Sequence, residues 1–542
     1  MDATLWVGVV WGAGSFGLVA MGTGCAASPA NCPVNEAVVL PLGLIGAATL
    51  LPLGYCYSAY RRDRAASSNE GTSLLAKETL VDADGYPVQS RIRAYLYASH
   101  FLSAWGDRMW QFAVPLLFME IFVDTLLPSA LFSLVRFTPV LFTTIGVAYI
   151  VGVAAVPSLG QWLDRSNRMR VLSISIAVEN ACVLVSTVAL GLILTVLAHA
   201  PTAQWTWTGP LSALFGVTLV AGAVGSVFGD AQTLSIEKDW VVVLAAETRS
   251  ALGGWNTAMR RIDLSCALLA PASFGVIVDF AGTDPMTRAA VGAAAVGGWN
   301  LLSAPLEYAM ARDVYAFVPA LRGGNCTVQP KATLSAGAYV RMWAAYARHP
   351  TFLVSFAFCA LYMTVLSGGG LNTAYLQWRG LPLSLLGASS GLGALFGLVG
   401  TLLFPQLVAC CGRVERVAVL SVWLFWLTLL PIGGCFVLLG ETRTTDYVMM
   451  GAVLLSRMWL WSCDLAETQI MQEWVEPDRR GTINAMQSAT SKLFYIGVLL
   501  VGVAFADPRE FETLVFVSLA AVGSAAVGFA VWYSTHGSTR HL

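Results

Sequence analysis

The chain has 542 residues, 56% of them hydrophobic and 12% charged, with a formal net charge of −1 and a mean hydropathy of +0.67. Soluble domains carry about 25% charged residues, so half that content excludes an ordinary globular protein. Near-neutral charge also gives no basis for binding nucleic acid. Eighteen Trp and 51 Gly suit membrane helices with aromatic interface belts and close small-residue packing. The 11 Cys lack CxxC spacing, so neither a zinc ribbon nor a disulfide framework is indicated.

Two apolar runs come first, Thr4–Gly24 and Ala37–Ala59, and a basic cluster, Arg61-Arg62-Asp63-Arg64, ends the second. Residues 1–64 therefore read as an amino-terminal apolar hairpin with a cytosolic stop. The first run could instead be a signal peptide, although it lacks a basic leading region. Cys25 and Cys32 flank the intervening turn and could pair in an oxidising compartment or remain thiols. Residues 65–91, rich in Ser, Asp and Gly, read as a cytoplasmic linker.

Twelve apolar stretches long enough to span a bilayer follow. Six fall near 94–122, 129–156, 169–198, 208–235, 252–280 and 287–311. Six more fall near 350–376, 383–409, 415–439, 446–471, 482–506 and 511–534. This predicts an all-α polytopic membrane protein with bundles over 92–311 and 350–535, a polar cytoplasmic loop at 312–349 and a cytoplasmic tail at 536–542. A 6+6 plan is the layout of the major facilitator architecture. One set of loops holds most of the basic residues, among them Arg165, Arg168, Lys238, Arg312, Arg413 and Arg480. The alternate set holds only Arg288, Arg379, Arg443 and Arg509, so the first set is cytoplasmic.

Within the first span, Asp107 and Arg108 interrupt an apolar helix, with His100 seven residues before and Gln111 four after Asp107. These three positions share about one helix face. A charge at bilayer depth costs several kcal/mol, roughly 2.5–3.5 on insertion scales, and commonly marks a translocation path. Arg136 and Pro139 suggest a kink in the second span. Gly160-Gln-Trp-Leu-Asp164-Arg165-Ser-Asn-Arg168 then resembles the loop between helices 2 and 3 of major facilitator proteins, where an Asp–Arg pair latches helix ends. Asp239, Asn256, Arg260 and Asp263 border the fourth and fifth spans and could join the same gate, together with Arg480. Arg260 and Asp263, at i and i+3, could equally be a local surface pair. In the seventh span, Gly368, Gly369 and Gly370 precede Asn372 and predict a break in the helix. In the tenth, Cys463, Asp464 and Glu467 offer a thiol and two acids, with Asp464 alternatively a structural partner of Arg457 or Arg480.

Six stretches are together similar to the ferroportin (solute carrier family 40) iron exporters. They are Trp105-Gly-Asp107-Arg-Met-Trp110, Asp239-Trp-Val-Val-Val, Asn256-Thr-Ala-Met-Arg-Arg-Ile-Asp263, Gly298-Trp-Asn300 to Glu307-Tyr308, Leu361-Tyr-Met-Thr-Val-Leu366 and Arg480-Gly-Thr-Ile-Asn484. The resemblance implies an alternating-access exporter of Fe(II), with one metal site per bundle and no enzymatic activity. Asp107 matches the first site's aspartate, and Gln111 stands where vertebrate members carry a histidine. His100 matches a family histidine on this helix and would partly stand in. A calcium site in the same bundle is also implied, with Asp107, Glu179, Asn300 and Glu307 as the matching residues. Glu179 replaces a glutamine there. Either three carboxylates converge, or Glu179 and Glu307 turn to separate hydrogen-bond partners.

In the second bundle Gly370 occupies the position of the vertebrate cysteine ligand, and Val498 that of the histidine. Hepcidin anchors on that cysteine, so hepcidin binding is not expected. Substitutes for the lost ligands are sought among Cys463, Asp464, Glu467 and Asn372. The alternative substrate is another divalent metal (Co, Ni or Zn), an organic cation or a metal chelate. The expected partners are a divalent ion and the lipid bilayer, the expected state a monomer. The expected location is the plasma membrane, with an organelle membrane as the alternative.

Overall fold

The computed structural model describes residues 88–121, 150–199, 209–281, 284–322, 336–367, 371–505 and 507–537. The expected amino-terminal hairpin, most of the second span with Arg136 and Pro139, and Gly368 to Gly370 lie outside the described residues.

All regular structure among the described residues is helical. Helix α1 is Val88–Ile121, α2 covers 150–165, and α3 is Arg168–His199. Then come α4 (Gly209–Thr233), α5 (Val241–Glu247), α6 (Leu252–Phe280), α7 (Pro285–Phe317) and α8 (Ala336–Arg348). The chain continues with α9 (Phe352–Ala360), α10 (Leu371–Trp378), α11 (Leu383–Cys411) and α12 (Val414–Leu439). It ends with α13 (Arg443–Trp474), α14 (Arg480–Ala504) and α15 (Phe511–Trp532). Among the described residues, eight helices are long and apolar enough to cross a membrane.

Local chemistry sets the helix ends. Asn167 caps α3, its Oδ1 accepting from the Met169 and Arg170 amides at 2.9 and 3.2 Å. Asp284 caps α7 by accepting from the Thr287 amide at 2.8 Å, and Pro285 follows at the position where its missing N–H costs nothing.

Two sequence expectations change. The fourth span does not stop near 235, because helical backbone continues through a π segment, Leu234–Trp240, into α5. Trp240, Val241 and Leu244 are buried against Leu96, Trp255, Met259 and Val314, and that burial keeps the polar-looking Glu237–Asp239 stretch helical. Within the segment expected to be a polar loop, α8 is a helix. Its Met342 and Tyr346 pack on Met471, Val475, Ile483 and Met486, while Arg341 and Arg348 are exposed.

The described chain divides into two compact units. The first comprises Glu78–Phe352 with Met471–Ile496, and so contains α1 to α8 with the end of α13 and most of α14. Its core includes Met109, Val183, Leu190, Phe274 and Val296, drawn from α1, α3, α6 and α7. The second comprises Leu353–Ile470 and Gly497–Leu542. Here the seventh span is interrupted: α9 ends at Ala360, residues 361–367 are not helical, and α10 begins at Leu371.

Side chains satisfy several groups of the irregular backbone described between them, a need that hydrocarbon imposes. The Val365 amide donates to Ser518 Oγ at 2.9 Å, and the Leu366 amide to Thr364 Oγ1 at 3.1 Å. Arg457 Nη2 donates to the Leu366 carbonyl at 2.8 Å, and Asn372 Nδ2 to the Ser367 carbonyl at 3.0 Å.

Candidate metal-handling site

Inside the first unit, four helices bring acids and amides together. Asp107 comes from α1, Glu179 from α3, Asp230 and Gln232 from α4, and Asn300 and Glu307 from α7. Asp107 and Glu179 are in hydrogen-bonding contact, and the charge of Glu307 is felt by Glu179. Glu307, 1% exposed, accepts from Gln232 Nε2 at 3.4 Å and from the Ser303 hydroxyl. Gln232 Nε2 also donates to Ser103 Oγ at 2.7 Å, tying α4 to α1 and α7. Its Oε1 is buried with no hydrogen-bond partner among the described residues. Asn300 Nδ2 donates to the Val296 carbonyl at 2.9 Å, and Asn300 Oδ1 faces Gly106, one residue before Asp107.

Such a group is chemically specific. Buried carboxyl groups in contact repel unless a proton or a cation lies among them. An oxygen-only donor set suits a divalent cation on the hard side of the transition series.

His100 and Gln111 each have their own partner, although the charge of His100 reaches both Asp107 and Glu307. His100 Nε2 sits 2.9 Å from Asp263 Oδ1, while Arg260 Nη1 donates to Asp263 Oδ2 at 3.2 Å. His100, Glu237 and Asp263 can bring one ligating atom each within 4.8 Å of one another. Gln111 is exposed and accepts from Arg108 Nη1 at 3.3 Å. The positions do share a face, but seven and four residues separate them by about 10 and 6 Å along the axis. Each level meets different neighbours.

Of the expected gate residues, Asp164, Asp239, Asn256 and Arg480 form a second set of polar contacts, whereas Arg260 and Asp263 lie with His100. Asp164 accepts from the Gly481 and Thr482 amides at 2.6 and 2.8 Å and from the Thr482 hydroxyl at 2.6 Å. It therefore caps the amino terminus of α14, where backbone N–H groups and the helix dipole favour an anion. Asp239 pairs with Arg168, whose Nη2 donates at 3.1 Å, and with Arg480 Nη1 at 3.6 Å. Arg165 is exposed, so the guanidinium that meets Asp239 is that of Arg168, three residues on. Asn256 Nδ2 donates to Gln472 Oε1 at 2.6 Å, and Gln472 Nε2 to the Glu237 carbonyl at 2.6 Å.

Burial pushes the Asp164 carboxyl up to about 6, against the lowering pull of its bonds from Thr482 and Gly481. A hydrated Asp titrates near 3.9. The bonded state thus holds more protons between those values. Falling pH through this window favours the contact with α14, and rising pH through about 6 weakens it. An infrared titration of the carboxyl stretch, wild type minus D164N, is expected to give a midpoint near 6. A midpoint near 4, that of a hydrated carboxyl, would count against the buried contact.

In the second unit Cys463, Asp464 and Glu467 are all buried on α13. Arg457 is committed to the Leu366 carbonyl, and Arg480 belongs to the Asp239 cluster of the first unit. Asn372 is buried and spends its amide nitrogen closing the helix break, while its Oδ1 has no hydrogen-bond partner among the described residues. Val498 is buried and offers no ligand atom.

Sequence reasoning missed Asp230, Gln232, Glu237, Gln472 and Lys492. For Asp230 a signal existed, a carboxylate in the apolar run Val227-Phe-Gly-Asp230. For Gln472 there was none, because an amide near a helix end is unremarked in sequence.

A family model described as Ferroportin1 (FPN1) matches residues 90–522. The chain belongs to the ferroportin family. It is 30% identical over 473 residues to "Solute carrier family 40 member 1" of Oryza sativa subsp. japonica, a match covering 83% of this chain and 93% of that protein. It is similar to the crystal structure of a bacterial homologue of the iron transporter ferroportin in an outward-facing state, with TM-score 0.68 and 26% identity over 82% of this chain and 99% of that one. The outward structure of FucP, a major facilitator transporter, matches at TM-score 0.53 and 11% identity over 81% and 98% of the two chains, which shows the fold alone. This ferroportin-family chain is accordingly a multi-pass membrane protein of the major facilitator fold, and a metal transporter rather than an enzyme.

Proposed function

We propose that the protein exports Fe(II) from the cytosol by alternating access. The ion would engage Asp107 together with Glu179 and Glu307. The observation that carries this is the contact of Asp107 with Glu179 in the interior of a membrane bundle, with Glu307 beside them. Carboxylates so placed are costly without a cation or a proton. The layer of Asp164, Arg168, Asp239 and Arg480 would then hold the cytosolic ends in one state of the cycle and release them in the other.

Asp107, Glu179, Asn300 and Glu307 also fit Ca(II), which would neutralise the acid set and brace α1 against α3 and α7. In the second unit, Asp464 and Glu467 would provide the pathway's acids, with Cys463 buried on the same helix and Asn372 at the helix break. Hepcidin control is not expected, because Gly370 takes the place of the anchoring cysteine. The plasma membrane is the proposed location, and the monomer the proposed working form.

The test is purified protein in liposomes with Fe(II), Mn(II), Co(II), Ni(II) and Zn(II) offered separately, and a pH dye inside. Fe(II) flux that the other ions inhibit competitively supports the proposal. Flux of an organic cation with no metal present would overturn it.

A further inference from the structure

Helix α14 carries an ammonium group at its middle, where the sequence turns from polar to apolar. Lys492 Nζ lies 2.9 Å from Asp230 Oδ2 on α4, with side chains 10% and 23% exposed. The Lys492 stem crosses α2 at Gly152, where a Cβ would come within 2.7 Å of Lys492 Cδ. Glycine there gives the side chain its passage.

The pair is continuous with the acid set. Asp230 follows Gly229, and a Cβ on Gly229 would lie 2.5 Å from Glu179 Oε1, so Glu179 rests on the backbone that presents Asp230. The charge of Asp230 reaches Glu179. Neither Asp230 nor Lys492 belongs to the ligand set that the family resemblance implies.

Stability is a weak reason to keep such a pair, since desolvating two ions can cost more than their attraction returns. Lys differs from Arg in having a compact, rotatable ammonium on a flexible stem, which can leave a carboxylate without breaking a bidentate fork. An ammonium on a carboxylate beside a metal pocket occupies the place a mobile cation would otherwise take.

We propose that Lys492 is a tethered counter-cation on Asp230, a fourth pathway carboxylate that meets the transported ion only when Lys492 withdraws. This rests on the divalent-metal reading above. While Lys492 is seated, Asp230 is neutralised and the pocket holds a divalent ion less tightly. When the ion leaves, the ammonium returns, so no bare carboxylate is left at bilayer depth. Lys492 thus lowers affinity and promotes release.

The full chain is titrated with Mn(II) by calorimetry in detergent, and Mn(II) flux is followed in liposomes. K492M is expected to bind at least about tenfold more tightly, one additional charge contact being worth 1.4 kcal/mol or more, and to turn over more slowly. K492M/D230N is expected to return to wild-type affinity. Affinity of K492M within twofold of wild type would overturn the proposal. Should K492M fail to fold, K492R decides: its fork should hold Asp230 and depress flux about fivefold or more, whereas undiminished flux would make the pair merely structural. Wild type that neither binds nor moves a divalent metal sinks the transport reading itself. Wild type that transports, with K492M indistinguishable from it, sinks only the role of Lys492.

Discussion

Asp107→Asn is expected to cut metal flux about 100-fold or more while leaving the protein folded. Removing one partner from a buried charge pair costs about 3–5 kcal/mol, and each 1.4 kcal/mol is tenfold in affinity. Asn keeps the shape and a hydrogen bond to Glu179, so the packing of Met109 and Ala113 on the same helix should not suffer. The informative contrast is Glu179→Gln. It removes the like-charge contact with Asp107 and installs the amide implied by the family pattern, so flux should stay within about threefold of wild type. Calorimetric Mn(II) binding and liposome flux on both variants check this. Equal loss in the two would mean that the carboxylates act as a set in which Asp107 holds no special place, and undiminished flux in the Asp107 variant would remove the carrier mechanism altogether.

Gly481→Val should nearly abolish transport for a different reason. Gly160 and Gly481 let α2 and α14 approach backbone to backbone. A Cβ on Gly481 would lie 2.6 Å from the Gly160 carbonyl and 2.6 Å from Asp164 Oδ1, and one on Gly160 would lie 2.5 Å from Ala485 Cβ. Overpacking such a seam costs about 1–3 kcal/mol. Here it would also move the amides of Gly481 and Thr482 out of reach of Asp164, whose buried carboxyl would lose its donors. At one decade per 1.4 kcal/mol, the population holding this contact should fall about tenfold to a hundredfold. Faster amide hydrogen exchange confined to residues 481–485, with unchanged exchange in α3 and α7, would confirm a local opening. Exchange as slow as in wild type would show that the seam tolerates the side chain.

Charge in an apolar helix made much of the candidate site legible. Asp107 stands out because nothing but function or pairing justifies a carboxylate there, whereas Glu179 and Glu307 entered only through the family resemblance. The same rule applied to Asp230, yet its partner Lys492 lies 262 residues away on another helix, and sequence offers no measure of that distance. Gln111 and Arg165 show the converse. Each sits at the motif position where a ligand or latch is expected, but Gln111 turns to Arg108, and Arg168 rather than Arg165 reaches Asp239. Helical periodicity assigns a face to a residue; it does not say which neighbour arrives at that level of the axis.

By itself, the sequence determined the material: a low-charge, helical, membrane-spanning chain of the major facilitator type, with an interruption in the seventh span. Hydrocarbon admits few other solutions, because every backbone polar group must be satisfied within a helix or by a specific partner. Only the tertiary structure decided the pairings. It put Asp239 between Arg168 and Arg480, Asp164 on the amides of α14, and Arg457 on the Leu366 carbonyl. It also ran the fourth span through its charged end to Glu247, because Trp240 and Leu244 had a core to enter. The reason is the same in each case. Buried polar groups must find partners, and the partner available is fixed by which helices pack side by side at that depth.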